Sequence, residues 1–324
     1  MSAGPDGAPR AADGPPLALA VKFAGLDCAS PIWTASGTFG YGQEFSPYLD
    51  LSDLGGLCTK GISPRPRGGN PLPRICETAS GMINSIGLEN VGVDGFRDKK
   101  LPFLRQSRTN VVVNFFGETF DEYVACGAAL DAMDGVHALE MNVSCPNIKK
   151  GGVEFGTDPT VLRELVKQCR AVTKKPLIIK LTPNTTDVVA LARAAVEGGA
   201  DGLSVINTLS AMAIDARKRR PRIATTFGGL SGPAIKPIAL RMVYQVHRAL
   251  PDVPISGIGG IATGEDVAEF LLAGATTVQV GTQSFAEPHA ARRIRDELTA
   301  FMHEEKIDDV RELIGGLHAL PPRC

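Results

Sequence analysis

The chain has 324 residues, of which 44% are hydrophobic and 21% are charged. This composition supplies enough apolar side chains for a large core and excludes a disordered or fibrous protein. The 34 basic and 35 acidic side chains leave a formal net charge of -1, so no general attraction to nucleic acid or to an anionic membrane is expected. At ~150 residues per domain the length suggests two domains, but α/β barrels often reach ~250 residues as one unit, so the domain number stays open.

The N-terminal segment 1–16 is rich in Gly, Pro and Ala and lacks the apolar stretch of a secretory signal. We therefore expect a disordered tail over 1–16. The barrel pattern described below favours a single domain over 17–324. No apolar run approaches the ~18 residues that cross a bilayer. The 7 cysteines form no C-x-x-C pair, which favours a reducing compartment over a disulfide framework. A cytoplasmic protein without a membrane or nucleic-acid partner is the expectation.

Short β-branched runs alternate with longer segments of helical periodicity, a pattern that predicts parallel strands joined by helices. The predicted strands cover 31–35, 56–60, 111–115, 138–143, 177–181, 202–206, 254–258 and 277–281. Eight such strands favour a (β/α)8 TIM barrel, with an open doubly wound sheet as the alternative. The long segments 62–110 and 208–231 are then insertions or lids.

The clearest helices come after the fourth predicted strand. Asp158 and Pro159 have the residue types of an N-cap and a first helical position. The apolar face of that helix would comprise Val161, Leu162, Leu165, Val166 and Cys169. The next helix should end at Gly198 and Gly199, a C-terminal glycine signal. Further helices are predicted in PAIKPIALRMVYQVHRAL and EDVAEFLLAGA.

In a (β/α)8 barrel the active site lies at the carboxyl ends of the strands. These ends offer Ser36, Lys60, Asn114, Asn142 with Cys145, Lys180, Asn207, Gly259 with Gly260, and Gly281 with Thr282. Amides, lysines and a thiol suit a planar, hydrogen-bonding ligand, and glycines let the backbone approach a phosphate. The pattern predicts a cofactor at the barrel mouth.

The segment SGIGGIATG matches the G-x-G-x-x-A pattern of dinucleotide-binding folds. That fingerprint requires an acidic residue at the end of the next strand, where this chain has Gly281 and Thr282. In a barrel, glycines after strands seven and eight instead form a phosphate-binding site. A plain tight turn is the alternative interpretation.

Cys145 lies in the polar segment MNVSCPNIKKGG, which is typical of an exposed loop. Most cysteines are small buried hydrophobes, an interpretation that suits Cys58, Cys126 and Cys169. No histidine lies near Cys145 in the sequence, so proton transfer is favoured over a Cys-His nucleophile pair.

Lys60 and Lys180 each end an apolar strand, a position from which lysines usually reach solvent. Facing one barrel mouth, either could form a Schiff base or counter the negative charge of a ligand or reduced cofactor. The histidines show no ligand spacing, so no metal site is expected. The basic run RKRRPR is interpreted as a solvated loop.

Segments from nearly the whole chain resemble class 1 dihydroorotate dehydrogenases, flavin enzymes of pyrimidine synthesis built on a (β/α)8 barrel. The matching segments are ASGTFGYG, CTKGIS, NSIGLENVG, NVSCPNIKKGG, LIIKLTPN, VINT, GGLSGPAIKP, SGIGGI and VQVGT. NTLSAMAID and GGLSGPAIKPIALRMV resemble the 1B subgroup, whose catalytic chain works with an iron–sulfur flavoprotein chain. The resemblance implies oxidation of (S)-dihydroorotate to orotate on the route to UMP.

The resemblance also implies roles for individual residues. FMN would be held by Ser36, Lys60, Gly61, Asn114, Asn142, Lys180, Ile206, Gly232, Gly259, Gly260, Gly281 and Thr282. Dihydroorotate or orotate would be bound by Lys60, Asn84, Ser85, Ile86, Gly87, Leu88, Asn142, Asn207 and Thr208. Cys145 would be the catalytic base, with Lys60 as the second catalytic residue.

For the assembly, the resemblance implies a homodimeric core joined to an FAD and iron–sulfur subunit in a heterotetramer that passes electrons to NAD. The dispersed cysteines of this chain cannot hold an iron–sulfur cluster, which needs about four closely placed thiolates. The sequence leaves the acceptor open, since fumarate, NAD and quinone users share the barrel chemistry. Two alternatives also stay open: a dihydropyrimidine dehydrogenase-like barrel acting on uracil or thymine, and a non-catalytic flavin-binding subunit.

Overall fold

The computed structural model describes residues 17–144, 146–147 and 153–318. Eight parallel strands close a barrel, in which each strand pairs with the next along the chain and the last pairs with the first. They are β1 Ile32–Thr34, β2 Gly56–Cys58, β3 Asn110–Phe115, β4 Ala138–Asn142, β5 Leu177–Leu181, β6 Gly202–Val205, β7 Ile255–Ile258 and β8 Thr277–Val280. The predicted (β/α)8 barrel is confirmed, and every strand boundary falls within two residues of its prediction.

Nine α-helices lie in the described part of the chain. They are α1 Gly92–Lys99, α2 Leu101–Leu104, α3 Phe120–Asp131, α4 Pro159–Val172, α5 Val188–Glu197, α6 Lys236–Ala249, α7 Gly264–Leu272, α8 Gln283–Ala286 and α9 Ala290–Glu305. Short 3-10 helices cover Leu51–Asp53, Phe155–Thr157, Pro233–Ile235 and Val310–Leu313. None of the described helices combines the length and apolar character that a membrane crossing requires.

The predicted helix signals are confirmed where the structure tests them. Asp158 caps α4 by accepting hydrogen bonds from the backbone N–H groups of Thr160 and Val161. Helix α5 stops at Gly198, and Gly199 has a φ of +104° that favours glycine. The face of α4 that was predicted to be apolar is buried at Leu162, Leu165, Val166 and Cys169, and Val161 packs partly buried against the same core.

The barrel strands are buried, and the amino-terminal end of the barrel is covered by a hairpin. All five residues of β5 are buried, as expected of a strand covered on both faces. At the amino-terminal end of the barrel, a hairpin of Val21–Phe23 and Leu26–Cys28 covers the core. The Phe23 ring meets Trp33 edge-on, with 5.2 Å between the ring centroids. This hairpin thus packs against the amino-terminal side of the core, opposite the carboxyl ends of the strands.

The two long segments between strands form a second sheet, which we call the lid sheet. Its antiparallel strands are ordered Leu209–Met212, Phe227–Ser231, Gly81–Asn84 and Ile75–Thr78. The prediction of 62–110 as a whole insertion was too broad, because α1 and α2 within it form the crossover between β2 and β3. The run RKRRPR lies on a small exposed hairpin of Ile214–Asp215 with Arg220–Pro221.

Candidate active site

A cavity of about 720 Å³ lies at the carboxyl ends of the barrel strands and extends to the lid sheet. Its volume falls within the range of small-molecule sites, roughly 300–1,000 Å³. Every residue predicted to bind FMN or substrate that the structure describes lines this one cavity. Cys145 lies outside the described residues, so its position relative to the cavity is untested. The structure thus brings the strand-end residues and the lid residues together, while their individual roles stay predictions.

The end of the cavity near β7 and β8 is built from backbone. Gly260 has a φ of +78°, and a Cβ atom built there would lie 2.8 Å from the carbonyl oxygen of Gly232. Among the described residues, no protein acceptor receives the backbone N–H of Gly260 or Thr282. The short helix α8 begins directly after Thr282. These unpaired donors fit the predicted phosphate group.

The amino terminus of α7, in contrast, is already satisfied by the protein. Asp266 accepts hydrogen bonds from the backbone N–H groups of Ala262 and Thr263, and from Lys236 Nζ at 2.6 Å. Burial would raise the pKa of Asp266, but the Lys236 hydrogen bond and these backbone donors lower it overall. An anion in the cavity therefore has the β8 to α8 turn available, and not the start of α7.

A buried carboxylate that the sequence analysis did not select lies below the cavity floor. Glu140 on β4 is fully buried. Its Oε1 accepts from Asn114 Nδ2 at 2.8 Å and from the Cys58 thiol at 3.1 Å. Its Oε2 accepts from Ser204 Oγ at 2.6 Å and from Gln279 Nε2 at 2.8 Å. The available signal was a charged residue between the apolar residues Leu139 and Met141 of the strand ALEMN.

Lys180 on β5 is the positive partner of this carboxylate. Its Nζ lies 3.9 Å from Glu140 Oε1, and its side chain is 7% exposed. Burial would raise the pKa of Glu140, but the charge of Lys180 and the hydrogen bonds from Gln279, Ser204 and Asn114 lower it overall. Burial and the adjacent Glu140 charge raise the pKa of the Cys58 thiol well above its usual range. Glu140 is therefore the ionised member of the cluster, and the Cys58 thiol stays protonated. The prediction that Cys58 is buried is confirmed.

Three asparagines and a serine meet where β4, β5 and β6 end. Asn207 Nδ2 donates to Asn142 Oδ1 at 3.1 Å and to Ser144 Oγ at 3.0 Å. Asn184 also lines the cavity, and its Nδ2 lies 3.4 Å from the carbonyl oxygen of Thr208. The sequence analysis missed Asn184, although LIIKLTPN places an asparagine shortly after a strand. Amides of this kind offer both donors and acceptors to a planar ligand.

The lid side of the cavity adds further charge and polarity. Asn84 Nδ2 donates to the carbonyl oxygen of Gly229 at 3.3 Å, which joins two lid strands. Lys60 at the end of β2 is partly exposed and lines the cavity. A hydrogen bond from Arg74 and the charge of Lys60 lower the pKa of Glu89. Arg67, which the sequence analysis did not select, also lines the cavity and pairs with Glu118.

The chain matches the family model described as dihydroorotate dehydrogenase over residues 18–302. It is 56% identical over 299 residues to dihydroorotate dehydrogenase B (NAD(+)), catalytic subunit, of Geotalea uraniireducens, covering 92% of this chain and 98% of that protein. The corresponding protein of Trichlorobacter lovleyi is 56% identical over 300 residues, covering 93% of this chain and 98% of the relative.

Among solved structures, the chain is similar to a dihydroorotate dehydrogenase from Eimeria tenella in complex with ferulenol, with a TM-score of 0.76 and 25% identity. That match covers 92% of this chain and 88% of the other. The predicted family and its flavin-dependent oxidoreductase activity are confirmed, as is the likeness to the 1B subgroup. Because the family model spans most of the residues and relatives at 56% identity span nearly the full length, the chain belongs to the dihydroorotate dehydrogenase family.

Proposed function

We propose that this chain is the FMN-containing catalytic subunit of an NAD-linked dihydroorotate dehydrogenase. It oxidises (S)-dihydroorotate to orotate in the cytoplasmic, de novo synthesis of UMP. The observation that supports this most is the single cavity shared by the described residues predicted for FMN and for substrate. The family match and the relatives' names support the reaction and the NAD linkage.

FMN fits the cavity by the chemistry of the groups that line it. The N–H donors at Gly260 and Thr282 would take the phosphate. The remaining barrel residues predicted for FMN, from Ser36 on β1 through Asn114 and Lys180, would hold the ring system at the mouth. Bound FMN supplies the acceptor for the substrate hydride. Lys180 would stabilise the negative charge that grows there on reduction.

Dihydroorotate must lose a proton from carbon 5 and a hydride from carbon 6. Cys145 takes the proton as the general base. Asn84, Asn142 and Asn207 bind the amide and carboxylate edges of the pyrimidine, because each offers donors and an acceptor. Lys60 adds a positive charge for the substrate carboxylate. The other predicted contacts, at Ser85 to Leu88 and at Thr208, come from the lid side and from the β6 end.

Electrons leave through a second subunit in this proposal. The words "catalytic subunit" in the relatives' names support such a partner. We propose a homodimer of this chain bound to an FAD and iron–sulfur subunit, giving a heterotetramer. Exposed apolar side chains on and beside the lid sheet, including Leu72, Ile214 and Phe227, provide surface suited to subunit contacts.

The test uses the purified full-length chain with and without the partner. The chain alone should release FMN on denaturation and reduce artificial dyes with dihydroorotate, but should reduce NAD only after the FAD and iron–sulfur subunit is added. NAD reduction by the pure chain would refute this division of labour, and efficient fumarate reduction would move it to the 1A subgroup. Turnover of uracil without activity on dihydroorotate would support the dihydropyrimidine dehydrogenase-like alternative. Flavin-loaded protein that turns over no substrate would support the non-catalytic flavin-binding subunit.

A further inference from the structure

Glu140 connects side chains from four other strands at the floor of the cavity. It lies on β4 between Leu139 and Met141, and it accepts hydrogen bonds from side chains on β2, β3, β6 and β8. A buried charge is costly unless it is paired and hydrogen-bonded, and each oxygen of this carboxylate has two donors. Glu140 does not line the cavity itself, whereas Asn114 and Lys180 do. It therefore lies directly beneath two residues proposed to contact the cofactor.

The carboxylate determines which end of the Asn114 amide faces the cavity. An ionised carboxylate only accepts hydrogen bonds, so Nδ2 of Asn114 is the end that points to Glu140, at 2.8 Å. The other end, Oδ1, lies beside Gly61, where an added Cβ atom would meet it at 2.8 Å. Asn114 thus presents an acceptor to a bound ligand for as long as Glu140 is ionised.

The carboxylate also balances the charge of Lys180. Glu140 Oε1 lies 3.9 Å from Lys180 Nζ and is its carboxylate partner among the described residues. Both side chains are nearly or fully buried, so solvent screens the pair weakly. The negative charge of Glu140 therefore reduces the positive potential that the Lys180 ammonium exerts on a ligand in the cavity.

We propose that Glu140 is a positioning residue that sets the reduction potential of the bound flavin. It does so by compensating Lys180 and by orienting Asn114. This inference rests on the proposed FMN binding. A neutral side chain at 140 would leave the ammonium uncompensated, and a net positive charge favours the electron-rich reduced flavin. It would also free the Asn114 amide to turn its N–H2 group towards the cavity.

The test compares the flavin midpoint potentials of wild type, Glu140→Gln and Ser204→Ala, each in the full-length protein. Ser204→Ala removes the hydrogen bond that Ser204 Oγ donates to Glu140 Oε2 and leaves the carboxylate in place, so it is the matched control. Glu140→Gln should shift the oxidised-to-reduced equilibrium at least tenfold towards the reduced form, about +30 mV for two electrons. Ser204→Ala should stay close to wild type. Equal shifts in both variants, or no upward shift in Glu140→Gln, would overturn the proposal.

A double-mutant cycle with Lys180→Met separates an effect through Lys180 from a direct one. Without the ammonium, the buried carboxyl should take up a proton, so Glu140→Gln should add little to the shift caused by Lys180→Met. An unchanged Glu140→Gln shift in the Lys180→Met background would rule out action through Lys180. The FMN content of wild type is measured first: absence of FMN there rejects the proposed function, whereas failure of the cycle in FMN-loaded protein rejects only the role of Glu140.

Infrared difference spectroscopy keeps the proposal testable if Glu140→Gln does not retain FMN. The spectra of wild type and Lys180→Met should differ by loss of a carboxylate band and gain of a protonated-carboxyl band. The other buried carboxyl among the described residues, Asp266, is common to both proteins and cancels. The same protonated band in both proteins would show that Glu140 is already neutral, which would overturn the charge balance.

Discussion

Replacing Gly260 by alanine tests whether the turn after β7 is built for an anion. The substitution forces an alanine into a φ of +78°, a left-handed conformation that costs roughly 1–2 kcal/mol. The new Cβ atom would also lie 2.8 Å from Gly232 O and 2.9 Å from Lys236 Cβ. The backbone must move to relieve these two close contacts, and overpacking of this kind costs about 1–3 kcal/mol. The expected loss in free energy of unfolding is therefore about 2–5 kcal/mol.

If Gly260 binds the FMN phosphate as proposed, the same movement should weaken FMN binding, because it displaces the backbone N–H that would donate to the phosphate. Loss of one hydrogen bond to a charged group, about 1.5–3 kcal/mol, corresponds to roughly 10- to 100-fold in Kd. Urea unfolding of the apoprotein and flavin fluorescence titration measure the two effects. Gly68→Ala is the matched control, since a Cβ there meets nothing within 4 Å, and it should change stability by less than ~0.5 kcal/mol. Equal behaviour of the two variants would refute the reasoning.

Three further predictions concern the base, a buried ion pair and the thiols. Cys145→Ser should slow flavin reduction by dihydroorotate on the order of 10²-fold in single-turnover experiments, with substrate binding largely kept; an unchanged rate would exclude Cys145 as the base. Asp266→Asn should lower stability at pH 7 by about 1–2 kcal/mol, because it loses the ion pair with Lys236 and weakens the carboxylate half of the capping box that Asp266 forms with Thr263. The pKa of Asp266 is lower in the folded state, so its contribution is present above the unfolded pKa of about 3.9 and disappears as the pH falls through the folded value. The difference in free energy of unfolding between wild type and Asp266→Asn, measured by urea unfolding, should therefore shrink as the pH falls below about 3.9 and through the lower folded pKa. A gap that stays constant with pH would contradict this. Among the described cysteines, Cys76 should be alkylated first in the native protein, as followed by mass spectrometry. The others should react only on unfolding, because burial shields them; early labelling of any of them would contradict the packing at Cys28, Cys58, Cys126 and Cys169.

Much of the fold was predictable because its signals are local. The β-branched runs and the helical periodicity each need only a window of neighbouring residues, and they placed all eight barrel strands within two residues. The cap of α4 at Asp158 is equally local, since the side chain bonds residues two and three positions ahead. The exception is the crossover of α1 and α2, which is short and contains Gly95 and Pro102, residues that weaken a helical pattern.

The identities of the strand-end residues were also predictable, because parallel strands bring their carboxyl ends to one face of a barrel. Knowledge of that geometry turns scattered positions such as Lys60, Asn114 and Thr282 into one predicted site. Their shared cavity agrees with this interpretation, although the part played by each residue stays a prediction. Cys145 stays a prediction as well, because it lies outside the described residues, as does the tail over 1–16.

The partners of distant segments were decided by the tertiary structure alone. Asn84 and Gly229 meet in the lid sheet across 145 positions of the chain, and Glu140 meets Gln279 across 139. A charge in the strand ALEMN was visible in the sequence, but its four donors and its lysine come from five other strands. Local propensities depend only on neighbouring residues, so they cannot predict such long-range pairings. They form because closing the barrel buries one carboxylate where only these side chains can satisfy it.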